Sequence, residues 1–152
     1  MGLAIALHVL AAVIWVGGMF FIFVCLRPAL GFVDPQLRMR ILAGNLSRFF
    51  RWVWASVAVL LITGLWMVFG PLQGLHYAGL HVHLMLGLGI LMMLLAAHVY
   101  FAPYKRLKRL ITQSNWPQAA KQAEQIRWFV AVNLGLGLVV VAIGASGRYW
   151  MH

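Results

Sequence analysis

A chain of 152 residues that is 64% apolar and only 9% charged, with mean hydropathy +0.91, is not a soluble domain, which would carry about a quarter charged residues. The formal charge of +10 does not point to nucleic acid, because all of the 12 basic residues except Arg148 fall between Arg27 and Arg51 or between Lys105 and Arg127. That is how cytoplasmic loops look under the positive-inside rule, where basic side chains also meet anionic headgroups; the expected partner is the lipid bilayer.

Four stretches have the roughly 20 apolar residues needed to cross hydrocarbon. The first runs from Gly2 to about Leu26 and stops at Arg27-Pro28. It starts without a basic leader or small-residue cleavage site, so it is expected to be retained. Cys25, the single cysteine, has no partner for an internal disulfide and is expected to be an inert packing residue. Asp34-Pro35 then signals a turn and a helix start. From Gln36 to Arg51, Leu, Ile and Phe alternate with Arg at helical spacing, which suits an amphipathic interfacial segment.

The second span covers about Trp52 to Phe69 and ends at Gly70-Pro71. The third covers about Tyr77 to Phe101 and ends at Pro103. After a polar segment from Gln118 to Arg127, the fourth covers about Trp128 to Ala145 and ends at Gly147-Arg148. The sequence shows no internal repeat. Short connections predict an all-α, antiparallel four-helix bundle forming one membrane domain. Both basic segments lie on one side, so both termini and the Gly70–His76 turn face outside. In a bacterium this means a multi-pass protein of the inner membrane, with the outer face periplasmic. Phe49, Phe50, Trp52 and Trp54 mark one interface, Tyr149 and Trp150 the other.

No acidic residue lies in any span, but four histidines do: His8, His81, His83 and His98. An ionisable or metal-liganding group in hydrocarbon is costly and marks a functional site by default, and imidazole is the commonest metal ligand. At a rise of about 1.5 Å per residue, His8 lies roughly 10 Å below the outer end of its span, a depth that His83 can match. Ala11 and Ala12 follow His8, with Trp15 two turns on, and Gly87 lies one turn after His83. A flat porphyrin with two axial imidazoles fits that arrangement. His81 stands about 200° round the helix from His83, so both cannot face one centre. His83 is the expected ligand, with His81 as substitute or neighbouring donor.

His98 lies roughly 22 Å deeper than His83, and spans two and four offer it no histidine partner, so one haem per chain is expected rather than two. His98 is expected to hydrogen-bond between helices, and His76 to be solvent-exposed. Met67, Met85, Met92 and Met93 are scattered and form no outer cluster, the pattern of core packing.

The run Leu7-His8-Val9-Leu10-Ala11-Ala12-Val13-Ile14-Trp15-Val16-Gly17-Gly18-Met19 resembles the first span of the copper-resistance protein D membrane domain. Arg48-Phe49-Phe50-Arg51 followed by Leu61-Ile62-Thr63-Gly64-Leu65 is similar to that domain's second span. The layout also resembles the HemJ-type protoporphyrinogen oxidase, a haem b-dependent membrane enzyme with a histidine matching His8. That family opens its third span with Leu-His-x-Lys-Leu, against Leu80-His81-Val82-His83-Leu84 here, so His83 replaces its lysine. The first resemblance implies copper uptake, the second haem-dependent oxidation, and such units also act as cytochrome b carriers.

The expected function is therefore a haem b-binding membrane protein that carries electrons near the outer face, exchanging with quinone or a redox partner protein. His8 and His83 would be the axial ligands, Trp15 would pack beside the porphyrin, and Arg148 would pair with a propionate. The alternative is a copper-binding or copper-uptake protein using His8, His76, His81 and His83. Two further alternatives are a HemJ-like oxidase and an accessory subunit whose histidines only join helices.

Overall fold

The computed structural model describes residues 1–71 and 73–149, apart from the Arg148 side chain. Among them there is no strand, and four helices are long and apolar enough to cross a membrane: α1 (Gly2–Phe32), α2 (Pro35–Phe69), α3 (Leu80–Thr112) and α4 (Trp116–Ser146). The all-helical, multi-pass reading of the sequence holds.

Helices α1 and α3 run past the prolines at which the sequence places their ends. A proline inside a helix removes one N–H and crowds the preceding turn. Both helices absorb this by widening into a π-turn, over Phe21–Leu26 in α1 and Tyr100–Tyr104 in α3, the second enclosing Pro103. The extra residue per turn also shifts the rotational phase of the side chains in and beyond that turn. Cys25, expected to pack, is exposed.

The amphipathic stretch after Asp34 is no separate element; it continues without a break into the second span. Its start is fixed locally. The Asp34 carboxylate accepts from the backbone N–H groups of Gln36 (2.9 Å) and Leu37 (3.2 Å), and Pro35 occupies the first turn, where no N–H is needed. Asn115 caps α4 in the same way through the Gln118 N–H, with Pro117 in the first turn. The polar Gln118–Arg127 stretch is likewise the inner part of α4. The loop joining α2 and α3, on the side expected from the basic clusters to be outer, turns at Gly74, whose φ of +114° favours glycine.

Each half of the chain therefore follows one plan: a descending helix with a π-turn beside a proline, a short inner loop, a capped start with proline, and a long ascending helix. Helix α1 packs along α2, α3 along α4, and α1 also against α4. Helices α2 and α3 meet at their inner ends, where Phe50 and Trp54 contact Tyr100, with ring centroids 5.1 and 5.7 Å apart. The core gathers Trp15, Met19, Phe50, Met92, Tyr104 and Leu107. Along α3 the buried residues of its regular helix are Met92, Ala96 and Val99, so its outer half, like the outer ends of α1 and α4, is loosely packed.

The crossing of α1, α3 and α4 depends on Gly137. A Cβ there would lie 2.8 Å from Val16 Cγ2 and 3.1 Å from Met92 Cε. Gly137→Val should cost about 1–3 kcal/mol through overpacking, read as a lowered thermal midpoint in detergent. Gly89→Ala, whose Cβ would meet nothing within 4 Å, should be neutral or stabilise by up to about 1 kcal/mol. Equal losses in the two variants would contradict this packing.

Candidate functional site around His8

His8 lies on the face of α1 that continues through Ala11, Trp15, Met19 and Ile22, all buried. Its ring is half-buried and turns towards α2, not α3. His8 Nδ1 is 2.8 Å from Thr63 Oγ1. The site has room because the next residue on α2 is Gly64, where a Cβ would come within 3.3 Å of His8 Cε1.

The proton positions are set by the hydrogen-bond network. A threonine hydroxyl has one hydrogen to give. Thr63 Oγ1 gives it to the Val59 carbonyl, 2.6 Å away and one turn back on the same helix. The hydroxyl can then only accept from His8, so Nδ1 carries the proton and Nε2 keeps its lone pair. Nε2 has no hydrogen-bond partner among the described residues, and it is not among the fully buried polar atoms left without one. It is a reachable donor, held in the tautomer that metal-ligating histidines adopt when their other nitrogen is anchored to oxygen.

His83 engages its Nδ1 by a different route. Its Nδ1 is 3.2 Å from the Gly79 carbonyl, which only accepts, so Nδ1 again holds the proton. His83 is exposed, on the stripe of α3 formed by Leu80, Leu84, Gly87, Leu91 and Leu94. A Cβ at Gly87 would meet nothing within 4 Å. His81 occupies the other face and packs on Gly147 after the end of α4, where a Cβ would lie 2.5 Å from both His81 Cβ and Cγ. Met85, one turn on, packs on Gly144. These contacts join His8 to α2 and His81 to the end of α4, while His83 and Gly87 face outward.

Trp15 is 3% exposed and belongs to the core two turns inward of His8. His98 is exposed and stacks edge-on against Phe129 at 5.0 Å, with no hydrogen bond among the described residues. His76 is exposed, as expected, beside Tyr77. The Arg148 side chain, Trp150 and His152 lie outside the described residues. Among the described residues, no group of three or more His, Cys, Asp or Glu could hold a metal ion together.

A family model described as copper resistance protein D matches residues 43–146. The chain belongs to the copper resistance protein D family. The match takes in Arg48-Phe49-Phe50-Arg51, the Thr63-Gly64 pair that seats His8, and all of α3. It begins after the first span, so His8 itself lies outside it. No curated protein and no solved structure gives a match.

Sequence reasoning did not find Thr63. Threonine in a helix commonly satisfies itself on the carbonyl one turn back, and Thr63 does so while also serving His8. The available signal was that Thr63 is the only threonine in its span. Asn133 was also missed; its amide reaches the Met92 carbonyl at 3.4 Å and joins α4 to α3.

Removing the acceptor should release the tautomer. In nitrogen-15 spectra of the metal-free protein, His8 should carry its proton on Nδ1. Thr63→Ser should preserve that state, and Thr63→Val should move the proton towards Nε2. A wild-type signal already protonated on Nε2 would contradict the assignment.

Proposed function

We propose that this copper resistance protein D family member binds copper in the outer half of its bundle, in the bacterial inner membrane, as part of copper uptake. Family membership supports the metal, and the free Nε2 of His8, fixed by Thr63, is the observation that supports the place. The donor chemistry fits a monovalent ion. The two acidic side chains, Asp34 and Glu124, lie at the other end of the bundle, so the outer half offers a hard divalent ion no Asp or Glu. Imidazole and thioether are the softer donors that suit copper. Further in, the thioethers of Met92, Met19 and Met39 are buried in one core.

Copper is the cargo in this reading. The chain supplies a first donor at His8, with His83, Met85 and His81 as further donors near the outer end. Thr63 keeps the His8 lone pair available, and the loosely packed outer half of α3 lets the donors approach. No catalytic step is required.

A second reading would use the same rings. An imidazole anchored through Nδ1 with Nε2 unengaged also suits a haem ligand; His8 and His83 are each anchored through Nδ1, and a Cβ at Gly87 would meet nothing within 4 Å. In that reading His8 and His83 would hold one haem b, which requires the outward-facing His83 to turn towards His8, and electrons would pass to quinone or a redox partner.

The two separate on purified protein from copper-supplemented cells. The copper reading predicts about one copper per chain by elemental analysis and no Soret band, with affinity falling roughly 10–100-fold in Thr63→Val, the usual cost of losing a residue that orients a ligand. A Soret band at stoichiometric haem, with no copper, would replace it with the second reading.

A further inference from the structure

At the inner end of the bundle the structure leaves a guanidinium unanswered. Arg27 sits just beyond the π-turn of α1, and its Nη1 is fully buried without a hydrogen-bond partner. It lines a cleft among all four helices, walled by Phe23, Leu46, Leu107 and Ile126, with Arg127 as the second polar group.

The charges around Arg27 do not balance. Arg38, Arg127 and Glu124 are the ones close enough to act on it. Glu124 is bound by Arg127, through Nε at 2.7 Å and again through Nη2. Arg38 spends its Nη2 on the carbonyls of Gly31 and Val33, both at 3.0 Å. Three cations therefore face one carboxylate that is already engaged. The free volume of the cleft is about 20 Å³, enough for one water or one anionic oxygen. A water would satisfy the N–H but leave the charge uncompensated at the edge of hydrocarbon.

We propose that this cleft is a specific site for the phosphate of an anionic phospholipid, beyond the general attraction of basic loops to headgroups. One phosphate oxygen accepts from Arg27 Nη1, and the group sits at the mouth between Arg27 and Arg127. Free phosphate has the same anionic chemistry, but the apolar walls favour a lipid, whose acyl chains lie against them while its headgroup reaches the arginines. Basic pockets between helices at the cytoplasmic side bind anionic lipids for this reason.

The test uses the full chain in detergent, with lipid retention followed by native mass spectrometry and stability by thermal midpoint. Phosphatidylglycerol should be retained and should raise the midpoint, and phosphatidylcholine and inorganic phosphate should do neither. Arg27→Gln should lower phosphatidylglycerol retention by about tenfold or more, the loss expected for a charge-assisted hydrogen bond. Arg127→Gln should lower it less, and Arg48→Gln, the same change of charge away from the cleft on α2, should leave it unchanged. Should Arg27→Gln fail to fold, the lipid comparison on wild type and the Arg127→Gln and Arg48→Gln pair still decide. Equal effects of phosphatidylcholine, or equal losses in Arg48→Gln and Arg127→Gln, would overturn the site. Protection by inorganic phosphate matching that of the lipid would overturn the assignment to lipid, and no response to any anion would leave a bound water in its place.

Discussion

Hydrocarbon offers no hydrogen-bond partner, so an imidazole placed in it is costly unless the protein supplies one. The rest of the outer half depends on how His8 meets that demand. Its Nδ1 finds Thr63 on α2, and Thr63 is itself committed to Val59. One short chain of hydrogen bonds therefore joins α1 to α2, sets the ring orientation, and decides which nitrogen is left with a lone pair. Gly64 belongs to the same arrangement, because a Cβ there would lie 3.3 Å from His8 Cε1 and press on the ring.

The two hairpins differ in how they treat this position. In the first, a histidine of the descending helix rests on a glycine of the ascending helix and makes a hydrogen bond there. In the second, His81 rests on Gly147, and the neighbouring His83 turns outward, anchored to its own helix at Gly79. Three imidazoles thus end near the outer face in different settings. Among the described residues they form no group that could hold a metal ion together, so the proposed copper site would have to assemble as the ion arrives. The inner end is built differently, with packed aromatic rings and arginines.

Much of this was legible in the residues. Apolar runs and basic clusters gave four helices, and Asp34-Pro35 marked a start that the structure places there. Prolines were less informative. Pro28 and Pro103 signal a stop, yet a π-turn lets both helices continue, and nothing local in the sequence distinguishes the two outcomes. The repeated plan of the halves is hidden in the sequence because it lies in proline, cap and π-turn positions, not in similar residues. Depth arguments placed His8 and His83 level with each other, but depth does not fix rotation about the helix axis. The partner of His8 on α2 depends on how α1 and α2 pack, a tertiary fact that periodicity does not carry. The resemblance to the copper resistance protein D domain, by contrast, already rested on the stretch containing Thr63-Gly64.

The most direct measurement is copper K-edge X-ray absorption on the loaded protein. The account predicts a monovalent edge and the outer-shell scattering of coordinated imidazole, with that scattering reduced or lost in His8→Ala. A divalent edge with oxygen-only coordination, or imidazole scattering unchanged in His8→Ala, would contradict it.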